Sequence, residues 1–243
     1  APEPVPNANC LECHGKPGAK SEKSGRPIAI DLEKFEASIH GKKHVECVEC
    51  HADLSKDTKE HEAKLKPAQC TSCHEDEVKE YQSTNHSKAR AKGNGVAATC
   101  ADCHGKHDIL KKKEPASKTN YANIEATCGA CHGNDAVIEK GHIPGGNIQH
   151  MYHDSVHGKK IAEKGRASNA PTCTSCHGAH SILDKEDPAS KVSKKNVVST
   201  CATCHKEQLE QFSKSKHGKN RLKGRFSAPS CIDCHTPHQI QKH

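Results

Sequence analysis

The segment Cys-x-x-Cys-His occurs eight times in 243 residues and uses all sixteen cysteines of the chain. In such a segment two thiols can add across the two vinyl groups of a haem, and the adjoining histidine can ligate its iron. The two-residue gap lets one short turn reach both vinyls and leaves the histidine under the ring. The attachment thiols would be Cys10 and Cys13, Cys47 and Cys50, Cys70 and Cys73, Cys100 and Cys103, Cys128 and Cys131, Cys173 and Cys176, Cys201 and Cys204, and Cys231 and Cys234. The proximal ligands would be His14, His51, His74, His104, His132, His177, His205 and His235. Eight motifs predict eight covalently attached haem c groups, each with its iron.

Other uses of paired cysteines explain less. Structural zinc takes Cys-x-x-Cys pairs two at a time but needs no histidine after every second cysteine. A thioredoxin-like site needs one pair in a βαβ context, and a disulfide scaffold has no use for the histidines.

Composition points the same way. Hydrophobic residues make up 32% of the chain, Trp is absent, and Phe and Tyr number three each. A bare chain of this kind lies close to disorder. One haem for about every thirty residues resolves the conflict, because the porphyrins serve as the core and the polypeptide wraps them. The expected fold class is therefore mostly coil with short α-helices and no substantial sheet, an elongated chain built from haem-pair repeats. The formal charge of +7 does not argue for nucleic acid. Two propionates per haem bring it to about −1 with all irons ferric and about −9 with all ferrous, and aromatic–basic interleaving is missing.

No apolar run approaches a membrane span. Covalent haem attachment is an extracytoplasmic chemistry, so the expected location is the periplasm or the cell exterior. The polar, Pro-rich start at Ala1 reads as a mature end after removal of a signal peptide.

An internal repeat runs through the chain. Thr84-Asn-His86 precedes Cys100–His104, Gly105-Lys-His107, Glu114-Pro-Ala-Ser-Lys118 and Cys128–His132. Ser155-Val-His157 precedes Cys173–His177, Gly178-Ala-His180, Asp187-Pro-Ala-Ser-Lys191 and Cys201–His205. The two motifs of each copy start 28 residues apart. A third copy begins at Ser215-Lys-His217 and runs through Cys231–His235 to His238, while the first motif resembles the second half of a copy. If the two ends met across copies of the chain they would complete a unit, so a head-to-tail filament is one expectation and a monomer with capped ends the other.

The chain divides into an N-terminal segment with the first motif (1–36), a stretch with motifs two to five (37–140) and one with motifs six to eight (141–243). The motif-free connector 133–154, with its turn at Ile143-Pro-Gly-Gly146, marks the boundary between two lobes. Short helices are expected over Asp31–Ile39, Asp76–Tyr81 and Lys206–Phe212.

Thirteen histidines lie outside the motifs, enough to place a second ligand on every iron. The repeat nominates His40, His86, His157 and His217 at the Ser/Thr-x-His position, and His107, His180 and His238 three residues after a proximal histidine. The second group is tethered beside its own haem and should reach a neighbouring one. His61 is the eighth candidate, filling the missing place in the first unit, with His44 its competitor. His142, His150, His153 and His243 are spare, and the single Met151 allows His/Met ligation at one haem at most.

The recurring Ser-x-His-Gly-Lys followed by Cys-x-x-Cys-His-Gly-x-His resembles the multihaem c-type cytochromes of metal-reducing and anaerobically respiring bacteria and archaea. The resemblance covers most of residues 38–243. It includes periplasmic haem wires that dock into outer-membrane porins and extracellular cytochromes that polymerise as filaments. It implies stacked and T-shaped haem pairs that conduct electrons to redox partner proteins or extracellular acceptors, without catalysis. The departures are the solitary first motif and the missing Gly-x-His after His51. The competing class is an octahaem reductase of a small nitrogen or sulfur oxyanion. Such enzymes look much longer, and a pentahaem nitrite-type reductase replaces one proximal histidine by lysine, whereas every motif here ends in histidine.

Overall fold

The computed structural model describes residues 6–54, 61 and 65–242; the start of the expected leader (1–5) and the spare His243 lie outside the described residues. Fifteen α-helices and four 3-10 turns follow one another along the described chain, none longer than nine residues. One isolated antiparallel bridge, Lys20 with Pro27, is its only extended pairing. The fold is thus short helices and loops without a sheet. Helices this short are marginal on their own in water. The buried apolar side chains of the described chain are only Val48, Ile124, Ile161, Ala170 and Val197. What holds the polypeptide's local shape is capping.

Seven of the motifs are of two kinds, while the third, Cys70–His74, is a turn outside any helix. In the second, fourth, sixth and eighth, the chain arrives extended and a helix starts at the first cysteine. Glu46 with Glu49, Thr99 with Asp102, Thr172 with Ser175 and Ser230 with Asp233 close reciprocal capping boxes there. In the first and fifth motifs the cysteines lie instead toward the end of a helix that began upstream, Asn7–His14 and Ile124–His132. The seventh is similar, its first cysteine falling near the end of Val197–Ala202.

The Ser/Thr-x-His segments form corners between two helices. Ser155 accepts from Gly158 N at 3.1 Å and donates to Tyr152 O at 2.6 Å, ending one helix and starting Val156–Lys164. Thr84 and Ser215 make the same two bonds, and Ser38 accepts from Gly41 N. Ser38, Thr84 and Ser155 are the most deeply buried side chains described, each 1% exposed. Three residues past the hydroxyl, a Cβ on Gly158 would stand 2.2 Å from Tyr152 O, whereas the Thr84 corner takes Ser87 at the equivalent place.

The first three corners are each bonded to a later repeat as well. Ile39 N donates to Ile109 O, Asn85 N to Ile182 O and Val156 N to Ile240 O, at 2.8, 3.1 and 2.8 Å. The acceptor always lies two residues beyond His107, His180 or His238, so consecutive units interlock through the segments that carry the candidate ligands.

The connector 133–154 is more structured than its sequence suggested. Asn134 and Asn147 cap the helices Asp135–Gly141 and Ile148–His153, and both pack on Ile124–His132. Gln149 donates to Glu125, and Asn94 to Gly141 O. The expected turn survives between these helices at Gly145 and Gly146, both with positive φ. The helix expected over Asp31–Ile39 is Leu32–Ala37, capped by Asp31 and stopped by the Ser38 corner.

Candidate haem sites

Seven motif histidines each face a histidine from outside the motifs. The pairs are His14 with His61, His74 with His40, His51 with His107, His132 with His86, His104 with His180, His205 with His157 and His177 with His238. Their ring centroids are 5.7–6.3 Å apart although the interplanar angles range from 11° to 77°. A constant separation with no constant angle is not ring stacking. Two imidazoles on opposite sides of one metal ion stand about 6 Å apart, given a metal–nitrogen bond of about 2.0 Å and the half-width of each ring. In the sixth motif the Nε2 atoms of His177 and His238 point at one another across 3.5 Å.

The pairs follow a rule. The corner histidine faces the histidine of the second motif of its own unit, as His86 faces His132 and His157 faces His205. The histidine three residues past a motif faces that of the first motif of the preceding unit, as His180 faces His104 and His238 faces His177. The Gly that leads into this segment is fixed by geometry, since Gly178 closes the motif helix with φ +85.

Burial holds His40, His51, His86, His104, His107, His132, His157 and His238 below the ordinary imidazole value, and His177 falls to about 4. A neutral imidazole is what metal ligation needs. His14 Nδ1 donates to Ile28 O at 2.7 Å, the outer-nitrogen bond that orients a ligating histidine. His51 Nδ1 is buried with no hydrogen-bond partner.

Among the described residues no group of three or more His, Cys, Asp or Glu gathers into a metal cage. The thiol pairs are therefore not arranged as four-ligand zinc sites, and the residues present fit haem instead. Two thiols would hold each porphyrin edge and two histidines its iron.

Two candidates fall elsewhere than the sequence placed them. His61 faces His14 of the first motif and does not fill the gap in the first unit. His217 sits on an exposed corner, and no motif histidine faces it among the described residues. Of the spare histidines, His153 bonds Glu125 at 2.9 Å and His150 lies 3.7 Å from Asp154. His142 and the exposed competitor His44 both end helical segments in the left-handed region.

A helical chain whose thiol pairs and facing histidines recur at haem spacing defines a multihaem c-type cytochrome. Residues 96–243, well over half of the sequence, match the family described as outer membrane cytochrome MtrC/MtrF-like, domains II/IV, and the chain belongs to that family. No curated protein and no solved structure matches it significantly.

Proposed function

We propose that this cytochrome conducts electrons along eight covalently bound haems, each held between two histidines, and performs no chemistry of its own. The observation that carries the reading is the constant gap between seven motif histidines and seven others. A histidine on each side of the iron leaves no coordination position for a substrate. Bound haem supplies a one-electron ferric/ferrous couple, whose potential the axial histidines, burial and nearby charge adjust. The chain's own part is to fix ring orientation and, at the nine rings that burial holds below the ordinary value, to favour the neutral imidazole.

The setting follows from the family and from the chemistry of attachment. We place the chain outside the cytoplasmic membrane, in the periplasm or at the cell exterior, passing electrons to redox partner proteins, to a porin-docked partner or to extracellular acceptors. No helix among the described residues is long and apolar enough to cross a membrane. Intact mass should exceed the 26.3 kDa chain by eight haem masses, and optical and resonance spectra should show low-spin iron in both oxidation states. Fewer haems in mature protein would defeat the count. A high-spin fraction that responds to nitrite or hydroxylamine would favour the reductase.

Head-to-tail self-assembly is a further part of this reading. The corner at Ser215 matches the three that later repeats cover, yet its His217 is exposed, and nearby Leu222 and Phe226 are the exposed large hydrophobics of the described chain, at 76% and 37%. Residues 206–225 carry seven Lys or Arg against two Glu. The exposed or half-exposed segments 46–54 and 75–80 carry seven Asp or Glu against one Lys. A basic, partly apolar face and an acidic one on the same chain suit a second copy.

A further inference from the structure

The sequence repeat joins the fourth motif to the fifth and the sixth to the seventh, and leaves the first alone. The contacts between motifs group them differently. Cys10 is a neighbour close enough to Cys47 to shift its thiol, as Cys100 is to Cys70, Cys173 to Cys128 and Cys231 to Cys201. Each is the first cysteine of its motif, and the pairs are motifs one and two, three and four, five and six, seven and eight. The remaining junctions bring second cysteines toward one another at longer range: Cys50 toward Cys73, Cys103 toward Cys131 and Cys176 toward Cys204.

Backbone and side-chain contacts support the same grouping. Asn7 N donates to Glu46 Oε2 at 2.9 Å and Cys47 N to Asn7 Oδ1 at 2.6 Å, locking the starts of the first two motif helices together. Ile124–His132 packs on Cys173–His177, and Val197–Ala202 on Cys231–Cys234. Tyr152 OH bonds Pro171 O, and the Arg221 guanidinium spans from Lys194 O to Ala228 O. Axial histidines are electrostatic neighbours across three of the same junctions, His14 with His51, His74 with His104 and His132 with His177. Two of the three looser junctions also have a contact of their own. Gln69 N donates to Cys50 O at 2.9 Å between the second and third motifs, and Cys100–His104 packs on Ile124–His132 between the fourth and fifth.

Resting on the haem reading above, we infer that the eight sites form one unbranched row in sequence order, built as four tight pairs, 1–2, 3–4, 5–6 and 7–8, joined by three looser junctions. Tight pairs meet through their first thiols, whereas each looser junction brings the second thiol of one motif toward both thiols of the next. In pairs 1–2, 5–6 and 7–8 a motif late in its helix meets a motif opening one, and the two can turn the same thioether edge toward each other; in pair 3–4 the third motif is a turn just ahead of Glu75–Gln82. The first motif is then no leftover half unit but one member of the first pair. An electron entering at one end leaves each site for its sequence neighbour, oxidising one iron and reducing the next with no bond made or broken. No site is bypassed.

A structure of the holoprotein tests this directly through the iron positions. The expected result is that every iron's nearest neighbour belongs to its tight pair and that iron order follows sequence order. A branch, or a shorter 4–5 than 5–6 distance, overturns the inference. Holoprotein carrying Cys128→Ser and Cys131→Ser, verified by mass to lack one haem, gives an independent readout. Electrons injected below one equivalent should no longer equilibrate between haems 1–4 and 6–8, and the exciton signal of pair 5–6 should vanish from the Soret circular dichroism. Retained equilibration overturns the row. Fewer than eight haems, or high-spin irons in the unaltered protein, would instead defeat the underlying functional reading, so the two failures are distinguishable.

Discussion

At the scale of single residues, the chain treats its histidines as two populations. Those facing one another at haem spacing are mostly half-buried, whereas His142, His150 and His153 sit at helix ends or against carboxylates. Replacing His180 by Ala should therefore turn one haem in eight high-spin without releasing it, because attachment at Cys100 and Cys103 does not involve that ring. His142→Ala should leave the spectra unchanged. Magnetic resonance and holoprotein mass read both, and a His180 variant with all irons still low-spin would refute the assignment. Most of this was legible in the sequence, because the repeat gives the histidines a phase. His61 has no such phase, and nothing in the residues around it signals that it faces His14. His217 has the phase but not the neighbour, since a repeat marks equivalent positions and not whether each is covered.

At the scale of elements, the corners matter more than the helices. A helix of six to nine residues contributes little by itself, but each Ser/Thr corner satisfies the end of one helix and the start of the next with a single hydroxyl. Ser155→Ala should cost about 1–2 kcal/mol, from a lost cap and a buried Gly158 N–H left without its acceptor. Gly158→Ala should cost about 1–3 kcal/mol, because the new methyl must push the Tyr152 carbonyl aside. Chemical unfolding of the holoprotein, followed by helical circular dichroism, measures both. An unchanged midpoint for either would mean that the haems alone hold the corner. The helices themselves were only partly readable. Lys206–Lys214 has a clear apolar stripe at Leu209 and Phe212, and the sequence placed it to within two residues. The helices within 133–154 are too short to show a period, and only their Asn caps and the following Gly could have given them away.

At the scale of the whole molecule, charge separates along the chain. Eight bound haems would more than cancel the formal +7, but they would not erase the contrast between the basic stretch 206–225 and the acidic segments 46–54 and 75–80. Attraction between such faces is screened over about 10 Å at 0.1 M salt, whereas contact at an apolar residue such as Leu222 is not weakened by added salt. Assembly of copies should accordingly be favoured in dilute buffer, recede as sodium chloride is raised, and be more resistant in the native chain than in Leu222→Asp. That substitution touches no motif and should leave haem content and spectra intact, so its effect on assembly is separable from folding. Sedimentation velocity and electron microscopy across a salt series supply the measurement. Long particles at low salt that shorten with Leu222→Asp are the expected outcome. A monodisperse monomer at high protein concentration in dilute buffer would remove self-assembly, and the exposed corner at Ser215 would then serve a different redox partner. In a filament the contact between copies would follow the eighth haem, where the alternation calls for a looser junction of the second-thiol kind. Cys234 and Cys13, both exposed, are the second thiols that such a junction would bring together.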